Sequence, residues 1–277
     1  MSKYDYLNNY WLDIIEKITE NTELSRRVIQ NINMNFSDNF SEILKKLPKE
    51  LHEIQTHLMN KGWYISGDIS INISRKIINL IENKKDNEIE IFMQYFIKSK
   101  TIIIERKLIK YWPKRAGIIR DSFFAHQKEL YSLSIPIFLI QADGICYDIL
   151  GILLYSKDEK GIPKTNKKLS EEIDKVKVGD IKLKFDPLLD TFLNFLRFPT
   201  NINKTIPFNK NKQENNSAFG LFNRHLILHG NDTSYSTQAN SLRAISILDF
   251  LIFLKESLEN HTKTATIFRE ILGNKNI

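Results

Sequence analysis

The residues best suited to chemistry in this 277-residue sequence lie in one run, Asn223-Arg224-His225-Leu226-Ile227-Leu228-His229-Gly230. There are six histidines: His52, His57, His126, His225, His229 and His261. Two of them fall within five residues of a single arginine in this run, and the other four are scattered and read as surface or packing residues. Cleaving RNA without a metal needs a base for the ribose 2′-hydroxyl proton and an acid for the departing 5′-oxygen. It also needs a cation to neutralise the phosphate as it becomes pentavalent. Histidine suits the first two tasks because its pKa lies near neutrality. Arginine suits the third because its planar fork binds two phosphate oxygens at once and stays charged.

The spacing lets these roles converge. His225 and His229 are four apart and share a helix face. Arg224 and His229 are five apart, about 7.5 Å of rise and about 140° on an ideal helix, so a long arginine can reach a phosphate held beside His229. Gly230 is expected to end the helix and to leave His229 in its last turn, where the helix dipole favours a protonated imidazole. Asn223 adds an amide beside the cluster. Two other readings stay open. His225 and His229 have the spacing of a helical zinc pair, with Asp232 as a possible third ligand, but the metalloprotease form requires Glu directly after the first His, where this chain has Leu226. The group can also be purely structural, with the histidines hydrogen-bonded inside a bundle and Arg224 paired with an acid.

The elements that must position this run read as helices. Apolar residues recur at helical spacing over Tyr4–Glu20 and continue in the same style over 22–33. Asp38 opens a further helix that Pro48 is expected to kink or split and Gly62 to end. Trp63–Asn72 reads as an irregular connector. Ile73–Glu82 and Glu88–Lys98 read as two helices, followed by a basic helix from about residue 100 that Trp112-Pro113 interrupts. Tyr131–Leu154 is apolar on most faces and belongs in a core. Residues 156–187 read as a charged excursion with a short helix near Glu171–Val176. Leu188–Phe198 reads as a compact helix, 200–216 as a polar loop, Ser217–His229 as the helix bearing the motif, and about Thr237–Leu258 as the last helix.

Composition agrees with helices: glycine and proline are scarce, 10 and 7. The single cysteine, Cys146, rules out an internal disulfide and a thiolate zinc site; it sits in an apolar run and reads as a buried, inert thiol that fits a reducing, cytoplasmic setting. The start of the sequence has no apolar signal core, and the longest apolar run, Ile135–Ile140, contains a proline and is too short for a bilayer; neither secretion nor a membrane span is expected. The net charge is +7, and residues 98–128 alone hold nine basic side chains against two acidic ones, a surplus equal to that of the whole chain. Such a stretch attracts polyanions such as nucleic acid.

Arg224-His225-x3-His229 resembles the signature of the HEPN superfamily (higher eukaryotes and prokaryotes nucleotide-binding domains): an arginine, a gap of four to six residues, then a histidine, with Asn, Asp or His directly after the arginine. The stretches Ser134–Gly144, Asn223–Gly230 and Tyr235–Ala244 further resemble a group of bacterial proteins, over roughly residues 110–155 and 217–255. The resemblance implies a helical bundle that dimerises so that two motifs share one cleft. It implies a metal-independent, cofactor-free endoribonuclease of toxin–antitoxin, abortive-infection or other phage-defence systems, with RNA as substrate and a neutralising antitoxin or defence partner. Some members of the superfamily only bind, so the alternative is a non-catalytic nucleic-acid-binding or protein-interaction module. By position, Arg224 and His229 become the catalytic pair and His225 its polar helper. Asp143, a carboxylate in an otherwise apolar helix, becomes a candidate for orienting Arg224 across the bundle, an N-cap or turn role beside Gly144 being equally open. Tyr235 and Asn240 become candidates for touching substrate or for tying a loop down. The expected architecture is all-α: an N-terminal helical region over 1–99 and a HEPN-like bundle over 100–277, with a variable insertion at about 156–187.

Overall fold

The computed structural model describes residues 38–67, 69–178, 181–182, 191–204 and 222–273. The helices expected over Tyr4–Glu20 and 22–33 lie outside these residues. The chain divides into two compact units, 1–52 and 53–277. Of the first, the described part is the opening of α1 (Asp38–Asn60), which runs through Pro48 without a break. The expected split at Pro48 is therefore absent. The remaining architecture lies in the second unit and is an all-α helical bundle, apart from a two-residue antiparallel ladder, β1 (Lys177–Val178) with β2 (Ile181–Lys182).

Four helices make the body of the bundle. They are α3 (Asp86–Tyr111), α4 (Ala116–Gln127), α5 (Tyr131–Leu150) and the long C-terminal α9 (Gln238–Gly273). α9 packs against α3 and α5, and α4 packs against α5. The first half of α9 is buried on nearly every side, through Leu242, Ile245, Leu248, Phe250, Leu251 and Leu254. A helix apolar all round has to be the central one. α5 meets it with Ile135, Phe138, Leu139, Ala142, Ile145 and Cys146, all buried. By length and hydropathy α5 could also cross a bilayer, although half of it is buried within the bundle.

The two helices expected over 88–98 and beyond 100 are one. α3 buries Ile89, Met93, Ile97, Thr101, Ile104 and Leu108 on a single face, and Thr101 closes its hydroxyl onto the Ile97 carbonyl at 3.1 Å. A domain boundary near residue 100 therefore falls inside a continuous helix. Pro113 behaves as expected, opening a 3₁₀ turn over Pro113–Arg115 that leads into α4.

The connector between α1 and α2 (Ile71–Glu82) is irregular, as expected, but it is also core. Trp63, Tyr64, Ile65 and Ser66 are buried. Trp63 Nε1 donates to Glu90 on α3 at 2.8 Å, and the Tyr64 N–H donates to Ser246 Oγ on α9 at 3.2 Å. The excursion after α5 carries α6 (Lys164–Asp174), longer and earlier than the helix expected near Glu171–Val176, and its Thr165 and Leu169 are buried. Of the helix expected over Leu188–Phe198, the described part is helical at Thr191 and Phe192, turns at Leu193 and continues as the single turn α7 (Asn194–Arg197). The last helix extends well past the expected Leu258.

Candidate functional site

The motif occupies a much shorter helix than expected. α8 is Arg224–Leu228, five residues, and Asn223 precedes it in extended backbone (φ −124°, ψ 115°). Arg224 is therefore the first helical residue rather than one far along a helix from Ser217, and residues 217–221 lie outside the description. The cause is local. Asn223 Oδ1 accepts the Leu226 N–H at 3.0 Å, which satisfies an open donor of the first turn. The same side chain donates through Nδ2 to the carbonyls of Asn201 (2.6 Å) and Lys204 (3.1 Å). Asn223 is buried and engaged on both sides of its amide, so it is a clamp for the motif.

At the other end His229 caps the turn, and Gly230 follows with φ +71°, a left-handed conformation that glycine adopts without a Cβ penalty. The chain then folds back, with the N–H groups of Asn231 and Asp232 both donating to the Leu226 carbonyl at 2.9 and 3.1 Å. A single turn aligns few peptide dipoles, so the dipole support expected for His229 from a longer helix is small. The rings of His225 and His229 lie 4.4 Å apart, tilted by 60°. His225 is half-buried and His229 is exposed.

Arg224 turns toward the bundle. Its guanidinium carbon sits 4.7 Å from the centroid of the Tyr155 ring. Its Nε is buried without a hydrogen-bond partner, and it has no ion pair with a carboxylate among the described residues. The expected contact from Asp143 is indirect. Asp143 Oδ1 accepts the Tyr155 N–H at 3.2 Å and so fixes the residue on which Arg224 lies. Burial pushes the Asp143 carboxyl above its usual range, opposed by the Tyr155 N–H, the charge of Arg224 and the Leu154 N–H. Gly151, left-handed at φ 69°, makes the turn that returns Tyr155 to the end of α5.

Tyr235 and Asn240 lie beyond α8 and hold the loop between α8 and α9. The Tyr235 hydroxyl donates to the Ser132 carbonyl at 2.9 Å. Asn240 Nδ2 donates to the Tyr235 carbonyl at 2.9 Å, and its Oδ1 accepts from Arg243 at 3.0 Å. Asp232, the possible third metal ligand, is buried and takes the N–H and hydroxyl of Ser234 at 2.8 and 2.7 Å. Among the described residues no three His, Cys, Asp or Glu side chains are grouped to hold a metal ion.

Part of the basic surplus at 98–128 is neutralised internally. Lys100 pairs with buried Asp249 at 2.6 Å, Lys107 with Glu256 at 3.0 Å and Arg115 with Asp148 at 2.9 Å. Lys98, Arg106, Lys110, Lys114, Arg120 and Lys128 are exposed. A cavity of about 570 Å³ opens between Trp112, Asp148, Glu172 and Glu259, away from the motif. Its carboxylates are paired with Arg115, Lys175 and Lys255. The structure adds three residues that the motif alone did not indicate. These are Tyr155 beneath Arg224, Lys157, on whose ammonium the charges of Arg224 and Lys204 act, and Lys204 itself. The only sequence signal of the two lysines is a basic residue type in a segment read as an excursion and in a loop. Comparison with protein-family models, curated proteins and solved structures gave no match in any of the three.

Proposed function

We propose that this chain is a metal-independent endoribonuclease of the HEPN kind, a toxin or phage-defence effector that works as a homodimer in the cytoplasm. The observation that carries the reading is the state of the two motif residues. Arg224 and His229 stand at opposite ends of one helical turn, the imidazole exposed and the guanidinium held on an aromatic ring without a carboxylate partner among the described residues. In this reading a ribose 2′-hydroxyl loses its proton and attacks the adjacent phosphorus. The 5′-oxygen of the next nucleotide leaves as it is protonated, and a 2′,3′-cyclic phosphate and a 5′-hydroxyl result. His229 is the proton carrier. Arg224 neutralises charge on the phosphoryl oxygens, the kind of contribution whose removal costs about 10²–10³ in rate. His225, one turn back with its ring against that of His229, orients the second imidazole.

One feature favours a second reading, a module that binds RNA without cutting it: the buried Nε and ring-stacked guanidinium of Arg224 serve a docked phosphate as well as a reacting one. Labelled RNA incubated with the purified chain in EDTA separates the two. The nuclease reading expects fragments ending in 2′,3′-cyclic phosphate that disappear when the 2′-hydroxyl is replaced by hydrogen and when Arg224 and His229 are changed to Ala. Cleavage that survives the double substitution sinks the assignment, and binding without cleavage leaves the second reading.

A further inference from the structure

The anchors of Arg224 also bring two lysines toward it. Lys157 lies two residues after Tyr155, in a turn closed by a bridge to Pro163 and by the Lys164 N–H donating to the Ser156 carbonyl at 3.0 Å. Lys204 is held through its backbone, since its carbonyl accepts from Asn223, the residue before Arg224. Among the described residues its exposed side chain reaches the Asn201 amide oxygen, at 3.1 Å. Lys157 is half-buried. That burial, followed by the charges of Arg224 and Lys204, pulls its ammonium below the usual lysine range. No carboxylate among the described residues pairs with Lys157 or Arg224, and the acid beside them, Asp143, is turned to a backbone N–H. Three other partly buried cations of the bundle, Lys100, Lys107 and Arg115, each meet an acid.

Three cations brought toward one another, with Asp143 the one acid beside them among the described residues, repel one another, most strongly where one is partly desolvated. An anion among them relieves that repulsion. Two lysines on separate segments near one arginine also suit a chain of phosphates better than a single one. We infer that Lys157 and Lys204 form a phosphate subsite that takes an RNA backbone phosphate neighbouring the one held by Arg224. This subsite rests on the nuclease reading for its substrate, and it acts by positioning the strand rather than by moving protons.

The test uses the full chain and a fluorescent RNA with 2′-O-methyl groups, which cannot be cleaved by internal attack, titrated by anisotropy across a series of KCl concentrations. Lys157→Gln and Lys204→Gln are each expected to weaken binding several-fold. Each should also flatten the dependence of log affinity on log salt by about 0.7, as for one phosphate contact on a single strand. Lys160→Gln, on the same turn and exposed, controls for general charge, Lys157→Arg for retained charge, and unchanged melting temperatures for folding. Equal losses in the control and the two test variants, or no loss in either test variant, overturn the subsite. If the uncut RNA binds with the expected lysine dependence but all-ribose RNA is never cut, the subsite stands and the nuclease reading falls. If RNA is cut while both variants bind like the parent, the nuclease stands and the subsite falls. If the parent does not bind RNA at all, both fall.

Discussion

The guanidinium of Arg224 lies over the face of Tyr155, 4.7 Å from the ring centroid, and the Tyr155 hydroxyl is itself buried without a hydrogen-bond partner. The ring and the hydroxyl therefore have opposite consequences. The ring attracts the cation, worth about 0.5–2 kcal/mol, while a buried hydroxyl left unsatisfied costs about 1–3 kcal/mol. Tyr155→Phe is expected to keep RNA cleavage within twofold and to leave the melting temperature unchanged or higher. Tyr155→Leu keeps bulk but removes the platform, and cleavage is expected to fall about tenfold or more while the protein stays folded. Equal activity in the two variants would show that the ring does not position Arg224.

Asn223 allows the cap and the clamp to be separated. Asn223→Ala loses the cap to the Leu226 N–H and the two contacts to the Asn201 and Lys204 carbonyls. It is expected to cost about 2 kcal/mol, the upper part of the range for a lost helix cap, because two part-buried carbonyl partners lose their donor as well. Asn223→Asp keeps the cap acceptor but sets a carboxylate oxygen against those carbonyls. It is expected to be at least as destabilising as Ala, whereas an effect limited to capping would make Asp nearly neutral. Urea unfolding of the three proteins decides.

Asn223 also marks where the sequence stops being legible. A sequence pattern records periodicity, and the long apolar stretches of α5 and α9, the stop at Gly230 and the break at Pro113 are all periodic or conformational signals. Asn223, next to an arginine and a histidine, has the residue type of both a ligand and a cap. Only its tertiary partners, Asn201 and Lys204 about twenty residues earlier, settle which it is. The joint expected near residue 100 failed for a related reason. Lys98, Ser99 and Lys100 look like a break, but Ile97, Thr101 and Ile104 continue the buried face, and the ammonium of Lys100 is drawn to an acid 149 residues away. Trp63, Tyr64 and Ile65 have no period to announce their burial. Lys157 and Lys204 gain meaning only from where the chain folds them. The spacing of His225 and His229 was readable because it depends on one turn of helix and nothing else.

Lys100 and Asp249 give a prediction about the basic segment itself. The pair is 2.6 Å long, Asp249 is 5% exposed, and Ser66 Oγ also donates to the same carboxylate oxygen at 3.0 Å. Removing one partner of such a pair leaves a charge in a poorly solvated place, with a cost of about 3–5 kcal/mol. Lys100→Met is expected to lower stability by that amount, while Lys98→Met, on the exposed side of the same helix, changes it by less than about 0.5 kcal/mol. The double variant Lys100→Met with Asp249→Leu should recover a large part of the loss, since a buried pair replaced by apolar groups is often neutral. Similar losses for Lys98 and Lys100 in denaturant unfolding would mean that the pair does not hold α3 to α9.

His126 sets an acid limit on stability. It is 9% exposed; its Nδ1 lies 2.8 Å from Ser241 Oγ, which in turn lies 3.1 Å from Ser134 Oγ. Burial, with a smaller contribution from Lys98, pulls its pKa down to about 4 from the ordinary 6.5. Above pH 6.5 the imidazole is neutral whether the chain is folded or unfolded, and it adds no pH dependence. Between 6.5 and about 4 the unfolded chain takes up a proton that the folded chain refuses, so stability falls as the pH falls. The full difference amounts to about 3 kcal/mol at most. Below about 4 the folded state is protonated too, and this contribution levels off. His261, also lowered by burial, acts with the same sign, and carboxylates add their own acid dependence. The useful quantity is therefore the difference between the parent and His126→Gln, measured by urea unfolding at pH 7.5, 5.5 and 4.5. The variant is expected to be less stable at pH 7.5 and to lose less on acidification. Parallel pH profiles for the two proteins would show that His126 does not stay neutral in the folded state over this range.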